Sequence, residues 1–312
     1  MREAHKNSTF QIQFHLQAFS NYVEWQPVFF IGILLMYLLA VFGNMMITIL
    51  VCLAPQLHTP MYVFLCNLAI QDIVYVSSIL PKLLFITITA DNSISFPGCI
   101  TQLSSFSLCV GTEFFLLTSM AYDRYVAICI PLRYFLIVNK RVCIQLISAS
   151  WITGFINSFM QSLLICNLSF CNSTEINHFF CELKTMMKLS CSDISSINTL
   201  LSVECVILGF IPFSLIIASY VCIISTILKI KTSSGRHKMF SSCSSHLTIV
   251  IIFCGTVLSL YIKPESERFQ EQDKLLSMLY IGLVPMLNPV VYSLRNKDVL
   301  KAMKKNIEII SK

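Results

Sequence analysis

Met120–Tyr134, MAYDRYVAICIPLRY, sets Asp123 beside Arg124 at the end of an apolar run that begins near Cys99. A carboxylate and a guanidinium are costly beside hydrocarbon, so such a pair marks either a functional switch or an interfacial anchor that sets topology. From Cys99 to Arg124 a helix rises about 37 Å at 1.5 Å per residue. That is enough to cross a hydrocarbon slab of roughly 30 Å with some tilt. One helix therefore connects the two faces of a membrane, and the rest of the chain is read outward from it.

The 312 residues are 55% hydrophobic and only 12% charged, too apolar for an ordinary soluble domain. Apolar runs at about 28–53, 60–85, 97–130, 141–165, 198–228, 239–262 and 275–292 predict an all-α membrane protein, a seven-transmembrane helix bundle over 28–292. Residues 1–27 are expected as an outer tail, 166–197 as a long second outer loop, and 293–312 as a cytoplasmic tail. Arg133, Lys140, Arg141, Lys229, Lys231, Arg236 and the C-terminal lysines fall on one side of these spans. By the positive-inside rule that side is cytoplasmic, placing the N-terminus outside and the C-terminus inside. The basic residues are scattered over short loops, which argues against a nucleic acid partner. The opening MREAHKNSTFQIQF lacks the basic-then-apolar pattern of a cleaved signal, so the first span is expected to direct insertion. In SLRNKDVLKAMKKNIEII, Val299, Met303, Ile307 and Ile310 share a face opposite several lysines. This predicts a short amphipathic eighth helix against inner-leaflet membrane lipid.

Three acids lie within predicted spans. Asp72 and Glu113, at mid-depth on neighbouring spans, have no basic partner nearby in sequence. A proton or a cation must neutralise them. Two arrangements are open: a sodium ion held between them, or protonated acids hydrogen-bonded to Asn44, Asn288 and buried water. Asn44 itself is of the type that bonds a neighbouring helix. Glu204, about two turns outward of Pro212, either faces a ligand cavity or packs as a neutral acid against span six. Of the 14 cysteines most are small core residues, but Cys99, Cys171, Cys181 and Cys191 face the oxidising side. Four cysteines allow three connectivities. Asn7, Asn167 and Asn172 begin N-glycosylation sequons on the same side.

These pieces, taken together and in order, resemble the odorant (olfactory) receptors among rhodopsin-like G-protein-coupled receptors. The matching stretches are Gly43-Asn44, LHTPMYVFLCNLAIQD at 57–72, MAYDRYVAICIPLRY at 120–134 and HFFCELKTMMKLSCSD at 178–193. Ser219-Tyr220, KMFSSCSSHLTIV at 238–250 and PMLNPVVYSLRNKDV at 285–299 complete them. The resemblance implies bridges Cys99–Cys181 and Cys171–Cys191. It also implies a plasma-membrane receptor of olfactory cilia that binds a small, volatile odorant in its outer half. Its inner half would activate a stimulatory olfactory G protein and raise cyclic AMP. In the family's pattern Asp123, Arg124 and Tyr125 form the switch, Arg124 being restrained by Asp123. Tyr220 and Tyr292 swing toward it about an Asn288-Pro289 hinge. Pocket positions by depth and family place are Phe106, Ser107, Val110, Gly111, Glu204, Leu208, Val257, Leu258, Tyr261 and Ile281. Two departures stand out: Cys254 where the family commonly has tyrosine, and Glu182-Leu183-Lys184 where an acid is commonly followed by prolines.

Other classes fit less well. A transporter of inverted repeats would show internal repetition, and none is visible. A retinal pigment would need a lysine within span seven, and the last one stands at its outer end, Lys274. No hydrolytic or metal-ligand spacing supports an enzyme, and no cofactor beyond the sodium ion is implied.

Overall fold

The computed structural model describes residues 12–18, 25–171, 173–262, 270–294 and 299–303. Seven helical segments form the bundle: α1 Gln26–Leu53, α2 Pro60–Thr89, α3 Phe96–Cys129, α4 Lys140–Cys166, α5 Ser195–Leu228, α6 Ser233–Ile262 and α7. The last runs from Gln270–Met278 through a π turn, Leu279–Leu283, into Val284–Leu294. Among the described residues six helices are long and apolar enough to span a membrane. There are seven when α6, bent by 46° between Ser233–Ser241 and Cys243–Thr256, is taken as one span. Span ends lie within a few residues of expectation. The largest difference is at the start of α6, Ser233 against an expected 239, and α2 runs past residue 85 to Thr89. Thr87 and Thr89 return their hydroxyls to the carbonyls of Leu84 and Phe85, satisfying the last turn from within.

The helix α3 is the axis. It packs against α2, α4, α5 and α6, and 61% of its most apolar window is buried, against 22% for α5. Its contact with α4 is close because small residues meet there: a Cβ added to Gly111 would stand 3.2 Å from the Cα of Gly154. Hydroxyls line the same seam, with Ser158 Oγ donating to Ser104 O at 2.7 Å and Ser104 and Ser162 sharing a 2.7 Å bond. In hydrocarbon, small residues and hydroxyls of this kind hold helices where apolar side chains have no solvent to escape.

Prolines explain the irregular turns. Proline cannot donate the bond to the carbonyl four residues earlier. Each of Pro212 and Pro285 is preceded by a π turn, Cys205–Phe210 and Leu279–Leu283, which absorbs the mismatch. Pro289 frees the carbonyl of Pro285, and Asn44 Nδ2 supplies the missing donor at 2.8 Å from α1. A Cβ on the adjacent Gly43 would meet the Pro289 ring at 3.0–3.1 Å, so the glycine lets that donor come close.

At the disulfide end the all-α expectation needs one correction. Residues expected as a loose outer tail form a strand, β1 Gln13–Leu16, between β2 Ser93–Ser95 (antiparallel) and β3 Glu175–Ile176 (parallel). Phe14 and Leu16 alternate inward and are buried, Phe14 against Phe96 and Phe170. Cys99–Cys181 and Cys171–Cys191 are bonded, with Cα separations of 5.3 and 6.0 Å. The loop between α4 and α5 carries its own helix, Leu183–Leu189, which buries Met186 beside Cys99. Residues 299–303 are helical and bury Val299 and Ala302, while the rest of the expected eighth helix lies outside the described residues.

The α3–α4 seam makes a direct stability prediction. A Cβ on Gly154 would stand 2.6 Å from Leu108 O and closer still to Thr112 Oγ1. Gly154→Ala should cost about 1–3 kcal/mol by overpacking and lower the melting temperature of detergent-solubilised protein. Gly32→Ala, with nothing within 4 Å, should not.

Candidate functional site

The Asp123–Arg124 pair sits where α3 ends. Asp123 is fully buried, and its Oδ2 accepts from Arg124 Nη2 at 2.6 Å and Nε at 3.1 Å. Its Oδ1 accepts from the Tyr134 hydroxyl at 2.7 Å. Tyr134 comes from the one-turn helix Tyr134–Ile137 in the loop to α4, so the loop closes the clasp. It lies inside the opening motif, but nothing in its spacing assigns it this role. Tyr220 on α5 is buried and shares a 2.6 Å hydrogen bond with His246 Nδ1 on α6, the two rings stacked 5.8 Å apart. The sequence motifs give His246 no role; only packing pairs residues 26 apart on two helices. Ser245 Oγ donates to Val291 O, tying α6 to α7. Tyr125 is partly buried against the core, and Tyr292 is buried with no hydrogen bond on its hydroxyl among the described residues. A cleft of about 650 Å³ opens between the ends of α5 and α6, lined by residues including Arg236, His237, Phe240 and Ser244.

Mid-bundle, Asn288 Nδ2 donates to Asp72 Oδ2 at 2.7 Å and Gln71 Nε2 to Glu113 Oε2 at 3.2 Å. Asp72 and Glu113 are close enough to interact electrostatically. Four buried oxygens have no hydrogen bond among the described residues: Asp72 Oδ1, Glu113 Oε1, Gln71 Oε1 and Asn288 Oδ1. An oxygen set of two carboxylates and two amides suits a small hard cation. Asn44 is committed to Ala40 O and Pro285 O rather than to the acids.

Toward the disulfide end, Phe106 lies in an aromatic group with Tyr75, Tyr280 and Phe180 at centroid distances of 5.8, 6.3 and 5.2 Å. Phe180 belongs to the loop between α4 and α5, immediately before bridged Cys181, so the disulfide sets a loop ring onto the bundle. Gln102 reinforces it, accepting from Cys181 N at 3.2 Å and donating to Ser78 O. Ser107 donates to Gln161 Oε1, and Gln161 Nε2 donates to Glu204 Oε2 at 2.7 Å. Glu204 therefore bonds α4, not α6 as one of the two sequence alternatives had it. Gly111 packs on Gly154 and is occupied in helix contact, a correction to its place among pocket residues. Val110 and Leu208 are partly buried, and Ile281 is fully buried in the π turn of α7. The side chains of Val257, Leu258 and Tyr261 lie outside the described residues, as do Asn7 and Asn172. Asn167 caps α4, its Nδ2 donating to Leu163 O at 2.9 Å. Cys254, in place of the usual tyrosine, is buried on α6.

A sequence profile described as "Olfactory receptor" matches residues 33–309. The chain belongs to the olfactory receptor family. Mouse olfactory receptor 5AP2 is 44% identical over 306 residues, covering 96% of this chain and 95% of the relative. Human olfactory receptor 13F1 is 45% identical over 293 residues, covering 94% and 92%. Human olfactory receptor 13C9 is 44% identical, covering 96% of each. This olfactory receptor is accordingly a multi-pass, G-protein-coupled receptor and not an enzyme.

The loop bridged through Cys181 carries a titration signature. His178 is buried between Phe179 and Phe180, and burial, then the charge of Lys274, push its imidazole down to about 3. An unfolded histidine takes up its proton below about 6.5, which the folded one does not. Stability from this group is complete above that pH and declines as pH falls toward the folded value. Between pH 7 and 5 the wild type should therefore lose up to about 1.4 kcal/mol per unit below 6.5 relative to His178→Phe. Paired thermal melts check this, and identical pH slopes would contradict it.

Proposed function

We propose that this olfactory receptor binds a small, volatile organic ligand in the half of the bundle beneath the disulfide-anchored lid. In response it activates a stimulatory olfactory-type G protein at the Arg124 end and raises cyclic AMP. The observation that carries the reading is a single rigid helix with both ends engaged. Near its start α3 holds Phe106 under the lid ring Phe180, and at its finish it holds Arg124 against Asp123. The lining is mostly apolar with a few polar groups, the usual character of a small-molecule site.

In this reading the clasp of Asp123, Arg124 and Tyr134 is the resting state. Ligand favours a second packing in which Arg124 leaves Asp123, Tyr220 exchanges His246 for Arg124, and Tyr292 follows about Asn288-Pro289. Tyr125 supports the switch from the core. The cleft between α5 and α6 is where the G protein enters. The lid end then faces outside, the Arg124 end and the C-terminal amphipathic helix face the cytoplasm, and the receptor works at the plasma membrane of sensory cilia. Asn7, Asn167 and Asn172 are its glycosylation sites. In cells co-expressing the receptor and the olfactory G protein, Arg124→Ala should abolish the cyclic AMP response to a library odorant while surface labelling persists. A response of undiminished size would overturn the switch.

We also read Asp72 and Glu113, with the amide oxygens of Gln71 and Asn288, as a sodium site that biases the resting packing. Sodium at about ten times its dissociation constant should stabilise purified receptor by roughly 1.4 kcal/mol relative to N-methylglucamine. Asp72→Asn should lose that shift. Wild type indifferent to sodium would leave protonated acids as the explanation.

A further inference from the structure

We propose that Glu204 is the anchor for a protonated amine, so that this receptor selects small organic amines over neutral odorants of the same shape. The proposal rests on the reading that the lid half of the bundle is the ligand site, and it names the ligand class.

The acid stands in a segment of α5, Val203 to Ile217, that is otherwise almost wholly apolar. It is the last residue before the π turn Cys205–Phe210. Two linked side chains on two other helices position it. Ser107 on α3 donates its hydroxyl to Gln161 Oε1, and Gln161 on α4 donates Nε2–H to Glu204 Oε2. Both Ser107 and Gln161 are buried. The amide's orientation follows from chemistry, because turning it over would set its oxygen against the carboxylate. Gln161 thus has its acceptor and donor assigned, and it supplies the carboxylate with one hydrogen bond. Glu204 Oε1 is shielded and accepts none among the described residues, and no basic side chain there forms an ion pair with Glu204.

An ionised carboxylate only accepts hydrogen bonds, and in a low-dielectric site its strongest complement is a cationic N–H donor. A small alkylamine is protonated at neutral pH, as lysine is. Its ammonium would give Oε1 the missing donor and neutralise the buried charge. Its hydrocarbon part would meet the apolar residues that flank Glu204 along α5, such as Leu208. An alcohol of equal size offers a hydrogen bond without the charge.

The test uses the full-length receptor in cells with the olfactory G protein. The probes are matched pairs: cyclohexylamine with cyclohexanol, and C5–C8 alkylamines with their alcohols. The same compounds are run as thermal-shift ligands on purified receptor. At least one amine should act about tenfold or more below its alcohol, and Glu204→Gln should weaken that amine about a hundredfold while sparing alcohols. Alcohols acting as well as or better than their amines would overturn the amine assignment and leave the ligand site standing. So would an amine response that survives Glu204→Gln. If the variant fails to reach the surface, the wild-type amine-to-alcohol ratio decides alone. Silence of every compound in both assays would count against the lid-half site itself and take the amine assignment with it.

Discussion

A polar group inside an apolar bundle has no water to turn to, so its partner must come from its own backbone or from another helix. That constraint places much of this receptor. The carbonyl of Pro285, released by Pro289, is met by Asn44 from α1. Asp72 on α2 is met by Asn288 from α7, and Glu204 on α5 by Gln161 from α4. Each such bond joins helices that have only dispersion forces to hold them otherwise. Each also sets register, since a shift of one helical turn would leave both partners unpaired.

The same constraint separates structural from responsive groups. Asn44 uses both amide donors, Gln161 its acceptor and a donor, and both act as fixed joints. Asp72, Glu113 and Glu204 each keep a shielded oxygen without a hydrogen bond among the described residues. Those oxygens are where a cation, a proton or a ligand can change the energy of the fold. At the Arg124 end the arrangement is different again. Asp123 is saturated by Arg124 and Tyr134, and Tyr220 by His246, so motion there requires an exchange of partners.

The α4–α5 loop is held by a covalent bond as well as a polar one. The bridge from Cys99 to Cys181 holds the α4–α5 loop to the start of α3, and Phe180 is carried onto Phe106 as a consequence. The strand Gln13–Leu16 closes the same surface by threading between two loops, its buried Phe14 and Leu16 giving it a reason to stay.

The amino-acid sequence alone determined the membrane class, the spans to within a few residues, the family, and the place of the Asp123–Arg124 pair near the end of α3. Those follow from local properties: apolar runs of spanning length, charge asymmetry and contiguous motifs. The tertiary structure decided what depends on side chains meeting across helices. It paired Tyr220 with His246, gave Tyr134 to Asp123, took Gly111 out of the pocket and onto Gly154, and turned Glu204 toward Gln161 rather than α6. It also made a strand of four residues that composition read as tail. The reason is the same throughout: a helix's own sequence gives its length and its faces, but the rotation and depth at which two helices meet are set by the packing between them.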